Sequence, residues 1–452
     1  MSTISHSLRD HKEPTRQQLF AHTFALPSGQ VPVTDIPAVL SLSNPNEDDD
    51  FQEDEVYAGR LTLTERFLCF ESLDRRSCRQ VLPLYCVRRV ERLNTKRSGV
   101  FALAIVVWHG MRIILQLNAL RTQCESFCGL LRDNLRAQLA SMKTLKPFVA
   151  SCFSEYVLNP ELDPAYKGKE STAGADDADE TKAGTANDAD QSSSAATTKD
   201  DDVGEAAGKK EGPSQGGTKS EPSDAALSYT PPPYHAGLGH RFKYPGDARK
   251  LREKSKMKLW RDYLRIHGRS LTCTRYPQFI RLIQVGLPSA LRGEMWEVTS
   301  GSIYNRFENQ GEYERLLKQH EGSKTTATED IEKDLHRSLP EYAGFQTPEG
   351  IDRLRRVLYA FSFKNPELGY TQGLNILAAA FLIYCSEEQA FFLLQTVTDR
   401  LLPGYYTQSM AGTILDRRVF EHLVHRSLPM IHDHLVKTDM QLSVATLPWF
   451  LS

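Results

Sequence analysis

An arginine and a glutamine 35 positions apart carry the clearest chemistry in this sequence. Arg337 closes the run Ile331-Glu-Lys-Asp334-Leu-His-Arg337, and Gln372 lies in Tyr370-Thr-Gln372-Gly373. A guanidinium stabilises the charge that develops on a transferred phosphoryl group, and a carboxamide orients the attacking water; a slow GTPase supplies both poorly. The pairing therefore suggests a protein that completes the active site of another.

Both groups need elements to position them. Thr326 with Glu329 fits a capping box that opens a helix, and Pro340 marks where that helix has ended. Asp334 and Arg337, three apart, then share a face and can pair. The same spacing also describes an ordinary surface ion pair, worth about 0–1 kcal/mol. Downstream, Asn365-Pro-Glu-Leu-Gly369 is turn chemistry, and Tyr370-Thr-Gln-Gly373 leads into the apolar helix Leu374-Asn-Ile-Leu-Ala-Ala-Ala-Phe381. Gln372 thus falls on a tight connection at a helix amino terminus, with Gly369 and Gly373 allowing close approach of a partner backbone. Its amide could instead cap the helix, and Tyr370 reads as a packing residue. A third segment, Gly286-Leu-Pro-Ser-Ala-Leu-Arg292-Gly293-Glu-Met-Trp296, places a cation and a large ring four apart on one face. Trp296 reads as core and Arg292 as its structural partner.

The chain has 452 residues, 40% hydrophobic and 25% charged, enough for two or three domains of ordinary soluble composition. The longest apolar stretch, from Ile376 to Leu394, is interrupted by Cys385-Ser-Glu-Glu-Gln389 and falls short of the roughly 18 residues of a membrane span. The amino terminus does not resemble a secretory signal, so the chain is expected in the cytoplasm unless recruited. Its eight cysteines form no CxxC pair. Cys124 and Cys128 lack the second pair or histidine that would complete a metal site.

Residues 169–235 are rich in Ala, Asp, Glu, Ser, Thr, Gly and Lys without hydrophobic periodicity, and read as a disordered acidic linker. Before it, residues 20–142 read as short strands followed by one amphipathic helix with Phe127, Leu130, Leu131, Leu135 and Leu139 at helical spacing. A small antiparallel barrel or sandwich capped by that helix is expected. After the linker, residues 249–452 read as an all-helical array, and neither half need hold a fixed orientation to the other. Residues 56–140 hold 14 Lys or Arg against 6 Asp or Glu, a net of +8. Arg88, Arg89, Arg92, Lys96 and Arg97 are the expected contact with an anionic leaflet, or else a strand edge kept soluble by charge. Aromatic residues do not interleave with these arginines, which argues against nucleic acid.

The phrase Gly59-Arg-Leu-Thr-Leu-Thr-Glu-Arg-Phe-Leu-Cys-Phe70, with Val81-Leu-Pro-Leu-Tyr-Cys-Val-Arg-Arg-Val-Glu91 behind it, resembles the GRAM domain, a PH-like fold. Residues 286–452 resemble the TBC family of Rab GTPase-activating proteins. The carriers are Arg292-Gly293-x-x-Trp296, Ile331-x-x-Asp334-x-x-Arg337 and Asn365-Pro-x-x-Gly-Tyr370-x-Gln372-Gly373, in order along the chain. The resemblance implies that Arg337 and Gln372 enter the nucleotide site of a GTP-bound Rab in trans, with Asp334 holding the arginine and Tyr370 shaping the second loop. It implies a role in vesicle trafficking, a peripheral position on endomembranes, and no cofactor in this chain, since GTP and Mg²⁺ belong to the Rab. No GxxxxGKS or GxxxxGKT phosphate loop occurs here. The alternatives are a non-catalytic Rab-GTP scaffold and a lipid-binding membrane adaptor. The family's helical domain normally runs on past a segment like Leu447-Pro-Trp-Phe-Leu-Ser452, so apolar surface is expected around Leu442, Val444, Leu447, Trp449 and Phe450.

Overall fold

Alternating polarity over residues 56–72 and 101–117 becomes antiparallel strands in the computed structural model, which describes residues 15–43, 56–74, 78–93, 101–159, 237–246, 250–407 and 409–451. The expected acidic linker, 169–235, lies outside these residues, as do Lys96 and Arg97. A short helix α1 (Arg16–Phe24), capped by Thr15, precedes strands β1 (Thr34–Ser43), β2 (Val56–Leu63), β3 (Phe67–Ser72), β4 (Arg79–Pro83), β5 (Val87–Leu93), β6 (Phe101–Val107) and β7 (Arg112–Leu117). They form one antiparallel sheet in the order β4-β3-β2-β1-β7-β6-β5. The expected hairpin is present, with β6 and β7 in register from Phe101 opposite Leu117 to Val106 opposite Arg112.

The amphipathic helix differs from expectation. It breaks at Gln138 (φ −90°, ψ 2°) into α2 (Arg121–Ala137) and α3 (Leu139–Ala150), and a short α4 (Phe153–Leu158) follows. Cys124, Phe127 and Leu131 turn inward from α2, one face at three- and four-residue steps. The break redirects α3, which brings Phe148 against Phe307 of the carboxy-terminal half, ring centroids 5.0 Å apart.

The second half is helical: α5 (Gly239–Phe242), α6 (Lys250–Ile266), α7 (Pro277–Val285), α8 (Arg292–Ser300), α9 (Ser302–Glu308), α10 (Glu312–Gln319), α11 (Thr326–Leu335), α12 (Pro348–Lys364), α13 (Leu374–Tyr384) and α14 (Glu387–Thr396). Beyond them run α15 (Ala411–Ser427), α16 (Pro429–Lys437), α17 (Leu442–Ala445) and α18 (Leu447–Leu451). Val444 and Trp449 are exposed there, as expected, while Leu442, Leu447 and Phe450 are half-buried.

Free orientation of the two halves is not what the structure has. One core contains sheet residues such as Leu61, Phe67 and Ile105 together with Trp260, Leu291, Met295, Tyr304 and Phe307 of the helical half. Tyr85 stacks on Phe307 at 4.1 Å, and Phe67 meets Tyr304 edge-on at 5.3 Å. The β4 edge meets the helical half at one residue: Arg79 and Arg275 exchange both backbone hydrogen bonds at 2.9 Å. The physical reason is visible in β3, which is buried along nearly its whole length. A strand apolar on both faces needs a second layer, and α9 supplies it. A separate core formed by α10 to α14, with Ile331, Leu354, Phe361, Leu374, Ala378 and Phe391 fully buried, carries the candidate site.

Candidate functional site

Helix α11 starts one residue earlier than the sequence pattern placed it. Thr325 is the N-cap: its Oγ1 accepts from Thr328 N at 3.2 Å, and its own N–H donates to Thr328 Oγ1 at 2.9 Å. The Thr326/Glu329 pair is therefore not the box; Thr328, one position before Glu329, makes the reciprocal bond. Ile331 and Leu335 are fully buried and fix the roll of the helix. Asp334, one turn from its end, is buried at 4% exposure, while Arg337 lies just past the last helical residue with 61% of its side chain exposed.

Asp334 is the hub. Its Oδ1 accepts from Arg337 Nε at 2.7 Å and forms an ion pair with Nη2 at 2.5 Å, and its Oδ2 accepts from the Tyr370 hydroxyl at 2.7 Å. Burial, then the hydrogen bond and charge of Asp334, push the Tyr370 phenol well above its ordinary range, so it remains a donor at every working pH. Tyr370 thus does more than pack: it clamps the carboxylate that aims Arg337.

Gln372 sits on the expected connection, between Gly369 (φ +62°) and Gly373 (φ +103°), and its side chain is exposed. Gly373 itself is the N-cap of α13, without a side-chain cap, so Gln372 does not close the helix with its amide. A buried polar relay joins the two segments. Gly373 N donates to Asn375 Oδ1 at 3.1 Å, Asn375 Nδ2 to Ser338 Oγ at 2.8 Å, and Ser338 Oγ to Asp334 O at 2.7 Å. Asn375 is 3% exposed and Ser338 1%, so this relay is shielded from water.

Arg337, Gln372, Asp334 and Tyr370 line one open pocket of about 400 Å³ together with Asp330 and Lys333, which pair at 2.7 Å. The cluster presents two cations, Arg337 and Lys333, each held by a carboxylate, and one uncommitted carboxamide. That set can neutralise anionic oxygens and hold a water, and it offers no nucleophile of its own. The relay residues Ser338 and Asn375, and the pair Asp330–Lys333, escaped the sequence reading. A signal existed for Asn375, the one strongly polar residue in the apolar run Leu374–Tyr384.

Arg292, Gly293 and Trp296 are not in this pocket. The Arg292 guanidinium lies over Tyr384, 5.5 Å from the ring centroid, and not over Trp296. Trp296 is half-buried, edge-on to Tyr384 at 5.1 Å and Phe381 at 6.0 Å. Gly293 admits the close approach, since a Cβ there would stand 2.4 Å from Tyr384 O. The segment therefore anchors the carboxy-terminal end of α13, whose other end presents Gln372, roughly 16 Å away at 1.5 Å per residue. Arg88, Arg89 and Arg92 lie on β5, along a groove of about 570 Å³ between that strand and α2.

Residues 289–452 match the Rab-GTPase-TBC domain model, and residues 19–135 match the GRAM domain model. The "Putative GTPase-activating protein AN11010" of Emericella nidulans is 40% identical over 98% of this chain and 38% of its own length. The GTPase-activating protein gyp2 of Schizosaccharomyces pombe is 31% identical over 87% of this chain and 46% of its own length. The chain thus spans less than half of these curated relatives. Among solved structures, the Chlamydomonas flagellar RabGAP TBC domain is similar at 25% identity over 44% of this chain and 67% of that one, with a TM-score of 0.38. The chain carries an amino-terminal GRAM domain followed by a RabGAP-TBC domain.

Proposed function

We propose that this chain activates a GTP-bound Rab-family GTPase by inserting Arg337 and Gln372 into its nucleotide site, and that it does so in vesicle trafficking. The observation that carries this reading is the convergence of both side chains on one open pocket, with Asp334 and Tyr370 aiming the arginine. Arg337 would lie against the oxygens of the transferred phosphoryl group, where charge accumulates in the transition state. Gln372 would orient the attacking water. Hydrolysis would belong to the GTPase, with GTP and Mg²⁺ bound there, and this chain would contribute groups in trans. An arginine supplied this way is worth about 10³–10⁵ in rate.

The test is phosphate release from a panel of GTP-loaded Rabs. At least one should be accelerated, and Arg337→Ala and Gln372→Ala should each remove the acceleration with the fold intact. Tight binding to a GTP-locked Rab with unchanged hydrolysis would instead make the chain a scaffold, and no acceleration across the panel refutes the proposal.

A further inference from the structure

The sheet has two edges, and they are treated differently. The β4 edge is bridged at its first residue by the backbone exchange between Arg79 and Arg275. The β5 edge has no such cover: β5 is last in the sheet order, and among the described residues Arg88 to Leu93 make no backbone hydrogen bonds other than those to β6. A bulge separates Val87 from Arg89, after which five residues, Arg89 to Leu93, run in unbroken register with Val106 to Ala102. An unpaired edge of this kind is a template for a further strand.

Beside that edge lies the groove of about 570 Å³ closed on its far side by α2. Its floor is apolar, with Val90, Leu103, Leu131, Leu135 and Met142. Arginines stand along it: Arg88, Arg89 and Arg92 from the strand, Arg132 and Arg136 from the helix, with Glu125 as the one acid in its lining; Arg89 pairs with Glu91 at 3.0 Å and Arg136 with Asp133 at 3.8 Å. Glu125 is already paired with Arg121 at 2.9 Å. Arg88 and Arg132 have no ion pair among the described residues, and Arg92 lies over the Phe101 ring at 4.3 Å, which keeps its charge at the groove. Such a groove demands negative charge along a chain and apolar side chains that reach inward. A flat lipid surface would meet the guanidinium groups and leave the recessed floor unused.

We propose that this groove binds an extended acidic peptide segment of a partner protein, which adds as a strand along β5, its apolar side chains entering between β5 and α2. Main-chain bonds to the strand edge would hold it, alternate side chains would fill the floor, and the flanking acids would pair with the arginines.

The experiment uses the full chain and a short fluorescein-labelled peptide alternating Glu with Val or Leu, followed by anisotropy near physiological salt. Saturable binding is expected, weakened about tenfold or more by Arg88→Glu with Arg132→Glu, two exposed positions where charge reversal leaves the core alone. N-methylation of the peptide at alternate residues supplies the second readout. One parity should abolish binding and the other leave it, because only every second N–H of an antiparallel strand points to its neighbour. Loss independent of parity, or no saturable binding, overturns the proposal. So does flotation with phosphatidylserine-containing phosphatidylcholine vesicles, lost in the same double variant, when the peptide does not bind: the groove would then face a membrane.

Discussion

Asp334→Ala separates a catalytic arrangement from an ordinary ion pair, because the two readings predict different ratios of rate loss to stability loss. Arg337 is 61% exposed, so its pair with Asp334 contributes only about 0–1 kcal/mol to folding. Tyr370 is half-buried, and water can replace the lost acceptor of its hydroxyl. The variant should therefore melt close to the parent. In the proposed reaction the consequence is larger. Asp334 fixes two donors of Arg337, and a released arginine regains about 2 kcal/mol of rotamer freedom that must be given up again on docking. At 1.36 kcal/mol per decade this is about a 30-fold fall in kcat/KM. Asp334→Asn, which keeps an oxygen for one guanidinium N–H, should fall in between. The assay is single-turnover phosphate release from the responsive Rab, with thermal melting as the control. A rate within about twofold of the parent would show that pre-orientation is irrelevant. A loss as deep as that of Arg337→Ala, about 10³-fold or more, at unchanged melting would mean that Asp334 itself touches the reacting groups.

Two further outcomes follow from buried groups. Asn375→Leu preserves bulk but leaves the Gly373 N–H without its acceptor and removes the hydrogen bond that Ser338 Oγ accepts, so it should cost about 1–3 kcal/mol in chemical denaturation and lower kcat more than it raises KM; unchanged stability would show that the relay does not hold the Gln372 loop. Burial pushes the Glu294 carboxyl up to about 7, although Ser154 donates to it through N at 2.7 Å and Oγ at 2.5 Å. Because the folded state then holds the proton more tightly than the unfolded one, Glu294 should make stability fall as pH rises from about 4.5 to about 7, with no further change from this group above that. Glu294→Gln should remove this component from a series of melting temperatures against pH, and an unaltered slope would refute the assignment.

What the sequence disclosed and what it hid have the same physical origin. Period and turn chemistry are local, so the β6–β7 hairpin, α13 and the connection carrying Gln372 were legible in the residues. The cap of α11 was displaced by one residue because Thr325, Thr326 and Thr328 offer overlapping patterns, and only the backbone decides which hydroxyl reaches N3. The helix reading over 120–142 missed the break because nothing in Ala137-Gln138-Leu139 is a helix breaker; tertiary packing of Phe148 on Phe307 redirects it. Arg292 was paired with Trp296 on spacing alone, while its ring partner, Tyr384, lies far along the chain. Asp334–Arg337 was visible at three residues' separation, but the relay through Ser338 and Asn375 spans 37 and has no one-dimensional signature.

The junction between the two domains shows why their mutual orientation is specific. Apolar contacts such as Tyr85 on Phe307 supply adhesion without direction, and a sheet resting on a helix could slide along it. The buried polar contacts cannot slide. Glu155 takes both Nε and Nη2 of Arg269, at 2.5 and 3.0 Å, and Ser154 donates to Glu294. Arg306, 3% exposed, is held by both oxygens of the fully buried Glu297 and accepted by Ser151 Oγ at 3.2 Å. A slide of one residue's length would leave the buried Glu155 without Arg269, a loss of about 3–5 kcal/mol that adhesion alone does not impose, and would take Ser154 from Glu294 and Ser151 from Arg306. Glu297 also accepts from Gln389 of α14 at 2.6 Å, and α14 packs in the core that carries α13 and Gln372. The sheet is thereby keyed, through α4, α9 and α8, to the helix that presents the candidate site. A partner bound along β5 would be held in one direction relative to that pocket, so the two surfaces constrain each other's geometry without touching.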